Sequence, residues 1–236
     1  MVEITIDEAK NRLMTVRPGL YAGFVSGSND WLNAYENHGV VIVKRPWYNN
    51  PDEIIYFTCD VGNSDADLNL VLEELGEVSK IMWYIGEYPS DQTLCFSCIG
   101  TPYEDSSIRP LTENDREQVM VVTNVPDNDT EFGKGIAINI KENFSTVPHV
   151  LGIFANTELA GIITLENINN GEVIKIINVF VPLNFRGRGY APRLIRAATA
   201  MYPGALYEYN CYSTNHASAA AAKSAGYIFE GTHVWL

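Results

Sequence analysis

Short apolar runs separated by polar turns dominate the first half of the chain. Residues 39–45, 53–60 and 80–87 have the composition of strands, while the spacing of apolar positions over residues 65–76 predicts an amphipathic helix. A further helix is expected around residues 6–14. The order of strand, strand, helix and strand predicts a small α+β unit.

The second half has sharper boundaries between its apolar segments. Residues 111–123 predict a helix, with Thr112 as a candidate N-cap and acidic residues in the first turn. The runs 149–155 and 159–166 flank a short Asn-Thr-Glu turn and predict a β-hairpin. Residues 172–181 predict a third strand.

Beyond residue 181 the chain crosses a loop of arginines and glycines and then alternates between helices and strands. A helix follows the loop, then a strand at 205–212 and an alanine-rich helix from about 215 to 225. Two short strands are expected at the end, at 227–232 and 233–236. This alternation predicts a mixed sheet with helices packed over it.

Residues 99–107 carry turn-forming and acidic residues and separate the two patterns. We therefore expect two domains, an N-terminal α+β lobe at 1–105 and a second domain at 107–236. The net charge of −13 is uneven, because residues 1–105 contain 17 acidic and 6 basic side chains. This balance argues against nucleic-acid binding, and is compatible with a cationic substrate or partner or with solubility alone.

The chain contains four cysteines, which are Cys59, Cys95, Cys98 and Cys211. They do not form a disulfide framework in a chain of this length, so free thiols in a reducing compartment are expected. The Cys95 and Cys98 pair lacks a second pair of ligands, so we expect no metal site. With no apolar run near the roughly 20 residues of a membrane helix and no secretory signal pattern, we expect a cytoplasmic protein without a membrane partner.

The loop that follows residue 181 has the chemistry of an anion site. Gly187 and Gly189 lack a Cβ and let the backbone approach a phosphate closely. The first N–H groups of the following helix are unpaired and lie at the positive end of its dipole. Arg186 and Arg188 add positive charge from the rim. An ordinary connection between a strand and a helix is the alternative explanation.

The segment RGRGYA at 186–191 resembles the R/Q-x-x-G-x-G/A pyrophosphate loop of the GNAT acyl-CoA N-acetyltransferase family. A Walker loop would need Gly-Lys-Ser/Thr, and a Rossmann fingerprint would need an early βαβ unit and a later acid. The sequence has neither. The resemblance implies acetyl-CoA as co-substrate, bound by Arg186, Gly187, Arg188, Gly189, Tyr190 and Ala191.

A second motif, NHASAAAAKSAGY at 215–227, is similar to the N-x-x-A/S helix of the same family, with Asn215 and Ser218 in register. This implies that Asn215 contacts the pantetheine arm and that Ser218 belongs to the same site. The likeness covers about residues 107–236 and implies a mixed, mostly antiparallel sheet flanked by helices. The N-terminal lobe has acids where the loop would be, and we interpret it as a degenerate copy of the fold.

The family's strand before the loop splays from its neighbour, which implies backbone contacts from Phe180 and Val181 to the pantetheine and acetyl group. The family's usual acid and base positions hold Ala222 and Lys175 here. We expect Tyr212 to protonate the departing thiolate and Glu208, on the same face of its strand, to relay the amine's proton. The other candidates are Glu166, Glu172, His216 and ordered water.

These resemblances imply an acetyl-CoA-dependent N-acetyltransferase. The acetyl group would pass to a primary amine of a small molecule or a protein, by direct attack of the amine on the thioester. The sequence does not identify the acceptor. The alternative is a non-catalytic acyl-CoA-binding or sensor module, which the replaced tyrosine and glutamate positions suggest.

Overall fold

A computed structural model describes residues 1–26, 28–37, 39–47, 50–61, 65–76, 80–84, 92–123, 149–168 and 173–235. The strands are β1 (Val2–Ile4), β2 (Asn33–Asn37), β3 (Val40–Trp47), β4 (Asn50–Cys59), β5 (Lys80–Tyr84), β6 (Thr93–Ile99), β7 (Ile108–Pro110), β8 (His149–Ala155), β9 (Glu158–Ile168), β10 (Val173–Phe180), β11 (Leu206–Tyr212) and β12 (Ile228–Trp235). The helices are α1 (Ile6–Val16), α2 (Pro18–Ser26), α3 (Asp65–Leu75), α4 (Arg116–Thr123), α5 (Tyr190–Thr199) and α6 (His216–Ser224). None of these helices is long and apolar enough to span a membrane.

The chain packs into two compact units that interleave in the sequence. The first unit comprises Met1–Ser97, Asn210–Ala219 and Ile228–Leu236. The second comprises Cys98–Tyr209 and Ala220–Tyr227. The linear domains at 1–105 and 107–236 therefore stay a prediction, and each unit is described separately below.

The first unit is built on a sheet with the strand order β1-β2-β3-β4-β5-β12-β6. Neighbouring strands are antiparallel except β4 and β5, which are parallel and joined through α3. Helix α1 begins at a capped terminus, where the Thr5 hydroxyl accepts the Glu8 N–H at 3.1 Å. Leu13 of α1 and Tyr21 of α2 are buried against Val41 and Phe57 of the sheet.

Two elements of the first unit have no clear pattern in the sequence. Helix α2 buries Leu20, Tyr21, Ala22 and Phe24, so its apolar residues surround the axis and leave no amphipathic period. Strand β2 is the polar segment Asn33–Asn37, and it is extended because it pairs with β1 and β3 on its two sides.

The end of the chain forms one strand, where the sequence predicted two. Strand β12 runs from Ile228 to Trp235, with an irregularity in its pairing to β6 between Phe229 and Gly231. This irregularity has the character of a β-bulge, which interrupts the alternation of side chains and explains the wrong prediction. The strand lies between β5 and β6, so the C-terminus completes the sheet of the first unit.

The second unit is built on a sheet with the strand order β11-β10-β9-β8-β7. Its strands are antiparallel except β10 and β11, which are parallel and connected through α5. The predicted hairpin is confirmed as β8 and β9, joined at Asn156 with φ of 59°. Asparagine tolerates this left-handed conformation better than most residues.

Helices cover opposite faces of this second sheet. Val119 and Val122 of α4 cluster with Ile162 and Phe180, which point to one face. A Cβ added to Gly161 would lie 3.1 Å from Leu194 of α5, so α5 covers the other face. Residues 161 and 162 point to opposite faces because side chains alternate along a strand.

The two units repeat one order of described elements. The first runs β1, α1, α2, β2, β3, β4, α3 and β5, and the second runs β7, α4, β8, β9, β10, α5 and β11. In each unit, antiparallel strands lead to a helix and then to a parallel strand beside the last of them. The described strands of the two units are therefore arranged in the same order, while the interpretation of the N-terminal lobe as a degenerate copy stays a prediction.

Candidate active site

The site begins where two parallel strands stop pairing. Ile176 and Tyr209 are the last pair in the register of β10 with β11, but β10 continues to Phe180. An irregularity in the pairing of β10 with β9 lies at the same level, between Ile176 and Asn178. The extra residue of this bulge is Ile177, and 43% of it is exposed. The bulge therefore coincides with an opening beside the last residues of β10.

Backbone direction decides which residues line this opening. The Phe180 carbonyl oxygen lies 3.0 Å from the position of a Cβ on Gly161, so it points towards β9. The N–H and C=O of a paired antiparallel residue point to the same neighbour, and successive residues alternate. The backbone groups of Val179 and Val181 therefore point away from β9 and towards the opening.

This direction corrects the expectation for Phe180. Its carbonyl faces β9, and its side chain is buried in the cluster with α4, so it does not provide the backbone contacts that the sequence suggested. Val179, the preceding residue, has backbone groups that face the opening. The role of Val181 stays a prediction. Directions repeat at every second residue along a strand. The sequence-based choice of Val181 could therefore have been extended to Val179 instead of Phe180.

The chain leaves β10 through a compact turn. The Phe185 N–H donates to the Pro182 carbonyl at 2.9 Å, and the Arg186 N–H donates to the Leu183 carbonyl at 3.1 Å. The Phe185 ring is buried and meets the Tyr190 ring edge to face, with centroids 6.1 Å apart. This contact fixes the loop against the first turn of α5.

Glycines occupy the positions of the loop that require left-handed backbone. Gly187 has φ of 75° and Gly189 has φ of 76°, and a Cβ added at either would meet no atom within 4 Å. The space beside the loop is open, so an approaching phosphate would meet backbone. The phosphate-binding role that the sequence suggests for these two residues stays a prediction.

The start of α5 suits an anion. Gly189 is its N-cap residue and has no side chain that could accept the N–H groups of the first turn. The first turn, which contains Tyr190 and Ala191, has no acidic residue. The positive end of the helix dipole is therefore not opposed by a local negative charge.

The two loop arginines have different surroundings. The Arg186 Nε donates to the Val181 carbonyl at 2.8 Å, which ties the loop back to the end of β10. The Arg188 guanidinium lies 5.6 Å from the centroid of the Phe185 ring and is exposed. Both are at the rim, and Arg186 also shapes the loop.

A third arginine anchors α5 and was missed in the sequence. Arg193 donates from Nε and Nη2 to the two carboxylate oxygens of Asp105 at 2.8 and 2.9 Å, and from Nη2 to the Ser107 hydroxyl at 2.8 Å. The Arg193 hydrogen bond is the main cause that holds the pKa of Asp105 well below its usual range. The segment before β7 is thereby fixed to the helix that carries the loop.

A row of charged residues crosses the α4 face of the sheet near the opening. Lys175 is paired in register with Glu166 of β9 and with Glu208 of β11. Glu208 is 8% exposed, whereas Glu166 is exposed. In the next row towards the loop, the Asn178 side chain donates to the Thr164 hydroxyl at 3.2 Å. Glu172, also considered in the sequence, lies outside the described residues.

Of the remaining positions, Tyr212, Asn215 and Ser218 belong to the first unit and Ala222 to the second. Tyr212 ends β11 and is 55% exposed. The Asn215 side chain accepts the Ser218 N–H at 3.1 Å and so caps α6. Ala222, at the family's usual tyrosine position, is fully buried and carries no acid group.

The corresponding strands of the first unit remain paired to their ends. Cys59, the last residue of β4, is in register with Trp83 of β5, and the Asp60 N–H still donates to the Trp83 carbonyl at 2.9 Å. The Tyr21 hydroxyl donates to the Asp60 carbonyl. Within the described residues of the first unit, β4 and β5 therefore leave no opening like the one beside β10. Among the described residues of both units, no cluster of side chains could hold a metal ion.

The residues that form this site match a known family model. Residues 117–227 match the model of the acetyltransferase (GNAT) family. The C-terminal half of the chain carries a GNAT acetyltransferase-family domain. The loop, the opening and α5 all lie within these GNAT residues. No curated protein matches the sequence.

Solved structures show that this fold extends over the whole chain. A GCN5-related N-acetyltransferase from Sphaerobacter thermophilus is 10% identical with a TM-score of 0.52, over 99% of this chain and 93% of that chain. A GNAT-family acetyltransferase from Colwellia psychrerythraea is 11% identical with a TM-score of 0.51, over 99% and 97%. A Drosophila protein is 15% identical with a TM-score of 0.53, over 99% and 96%. The fold class predicted from the sequence is confirmed, while the roles of individual residues stay predictions.

Proposed function

We propose that this protein is an acetyl-CoA-dependent N-acetyltransferase that acts on a primary amine. The observation that carries the proposal is the coincidence of two features on one strand. The pairing of β10 with β11 ends at Ile176, and the same strand leads into the glycine loop at the uncapped start of α5. An opening next to an anion site suits a long ligand with a phosphate at one end and a reactive group at the other.

The loop and the opening would hold different parts of acetyl-CoA. The N–H groups of residues 187–191 would bind the pyrophosphate, with Arg188 adding charge at the rim. The outward backbone groups of Val179 and Val181 would pair with the pantetheine amides, much as a strand would. Asn215 and Ser218 would bind the pantetheine arm, a role that rests on the motif alone.

The chemistry requires a neutral amine, a stabilised oxyanion and a protonated leaving group. The amine nitrogen forms a bond to the thioester carbonyl carbon, and backbone N–H groups at the opening stabilise the negative oxygen. Collapse of this intermediate breaks the C–S bond. The ammonium proton passes to Glu208 through water, and Tyr212 gives its proton to the departing thiolate, which leaves as CoA thiol.

Two measurements, made one after the other, test the proposal. Acetyl-CoA binding is measured by calorimetry, and thiol release is then followed with a panel of small amines and amine-bearing peptides. Binding with amine-dependent thiol release supports the proposal. Binding without release from any amine indicates a non-catalytic acyl-CoA-binding module. An absence of binding contradicts both functions.

A further inference from the structure

The charged row beside the opening lies on the face of the sheet that α4 covers. Ile162 and Phe180 pack under α4 on this face. Moving away from the loop along the same face, Asn178 pairs with Thr164, and Lys175 then lies between Glu166 and Glu208. Residues in register on neighbouring strands point to the same face, so the three charged side chains form one row.

The burial of Glu208 makes its charge sensitive to neighbours. A carboxylate that is 8% exposed loses most of its hydration, which favours its protonated form. Lys175 lies on the next strand in direct register, and neighbouring strands are about 4.8 Å apart. A positive charge on a neighbouring side chain of the same face favours the ionised carboxylate.

Among the residues that the structure describes, the other charged groups near Glu208 are less suited than Lys175 to favour its ionised form. The titratable or charged groups on the described elements next to Glu208 are Lys175, Glu166, Tyr212, Cys98, Arg116 and Glu117. Arg116 donates to Glu113 at 2.9 Å. The Cys98 thiol interacts with Tyr207 and Tyr227, so it lies on the opposite face of the sheet from Glu208, and burial raises its pKa to about 11. Lys175 is the cation that the strand register places beside Glu208.

We propose that Lys175 is a positioning residue that keeps the Glu208 carboxylate ionised beside the opening, ready to take the proton of the acceptor amine. This inference rests on the proposed N-acetyltransferase function. It also explains why a lysine at the position of the family's glutamate is compatible with catalysis. The carboxylate lies one strand away, and the lysine supports it.

The test is a carbon-13 NMR titration of glutamate side chains in the full chain, with the Glu208 signal assigned through Glu208→Gln. We expect Glu208 to titrate about one pH unit higher in Lys175→Met than in the wild type, because an opposite charge has been removed. Lys175→Arg keeps the charge and should restore the wild-type titration. Lys10→Met, the same change on α1 of the first unit, is the matched control and should leave Glu208 unchanged.

Kinetics then connects this titration with the reaction. In Lys175→Met the acid limb of kcat/KM should move to higher pH by a similar amount, while the alkaline plateau and the affinity for acetyl-CoA stay near wild type. Glu166→Gln should shift the limb less, because Glu166 is exposed. An unchanged Glu208 titration in Lys175→Met overturns the inference. If the titration moves but the wild-type protein never releases thiol, the proposed function fails, and the catalytic role of the pair fails with it.

Discussion

Ile176 and Tyr209 are the last residues that pair β10 with β11, and the equivalent strands of the first unit show the opposite behaviour. There, Cys59 and Trp83 still pair at the end of β4, and Asp60 adds one further hydrogen bond. The two units share one order of elements, but only the second combines an opening with a glycine loop in the described residues. Under the proposed function, this difference leads us to expect cofactor binding at the second unit.

The loop predicts a specific effect of charge at Gly187. Asn and Asp both tolerate a positive φ and have nearly the same shape, so Gly187→Asn and Gly187→Asp differ mainly in charge. We expect the Asp variant to bind acetyl-CoA at least about tenfold more weakly than the Asn variant, because a carboxylate would face the phosphates. Calorimetry at low salt measures the difference. Equal affinities would rule out a pyrophosphate at this loop.

The proposed acid predicts a loss of turnover without a loss of binding. Tyr212→Phe should lower kcat by at least about tenfold, because general acid catalysis typically contributes 10² to 10⁴. The affinity for acetyl-CoA should remain near wild type, since the phenol is not expected to bind the cofactor. Tyr56→Phe, on β4 of the first unit, makes the same chemical change as a control. Full turnover in Tyr212→Phe would leave the tyrosine with a packing role alone.

The position of β12 predicts that the N-terminal lobe is unstable by itself. A fragment of residues 1–105 lacks the strand that lies between β5 and β6, so both strands would expose unpaired edges. We expect this fragment to aggregate or to show little hydrogen-exchange protection in β5 and β6. A fusion of the same fragment to residues 226–236 through a flexible linker should regain protection. If the 1–105 fragment alone unfolds cooperatively and protects the amides of β5 and β6 from exchange, the sheet does not depend on β12 as we expect.

The pair of Asp105 and Arg193 predicts how stability depends on pH. The pKa of Asp105 is lowered in the folded protein, chiefly by its hydrogen bonds with Arg193. The stabilisation from this carboxylate is therefore fully present above its pKa in the unfolded chain, about 4, and is lost as the pH falls below that value. Asp105→Asn should cost about 2 kcal/mol of unfolding free energy at pH 7. The difference in unfolding free energy between this variant and the wild type should become smaller below about pH 4. Urea unfolding at several pH values measures this, and a gap that is constant with pH would refute it.

Much of the site could be predicted because its signals are local. Gly187 and Gly189 mark left-handed backbone within a few residues of a helix start, and their identity follows from sterics alone. The bulge at Ile177 could not be predicted, because an isoleucine within an apolar run looks the same whether its strand is regular or bulged. Arg193 and Asp105 are 88 residues apart, so no local pattern connects them.

The same contrast separates the strands and helices that were predicted from those that were missed. Helix α1 follows the period expected for a half-buried helix, and strand β3 begins with a continuous apolar run that is buried. Both were predicted near their observed positions. Helix α2 is buried on all sides and β2 is polar, so neither shows the period of its structure. Strand β12 was read as two strands because its bulge breaks the alternation.

The central claim is that acetyl-CoA binds in the opening beside β10 and along the glycine loop. A titration of the nitrogen-15-labelled protein with acetyl-CoA, followed by amide chemical shifts, tests it most directly. We predict the largest changes at Val179, Val181 and residues 187–191, with little change at Cys59 and Asp60 of the closed first unit. Shifts confined to other residues, or equal shifts at the ends of β4 and β10, would contradict it.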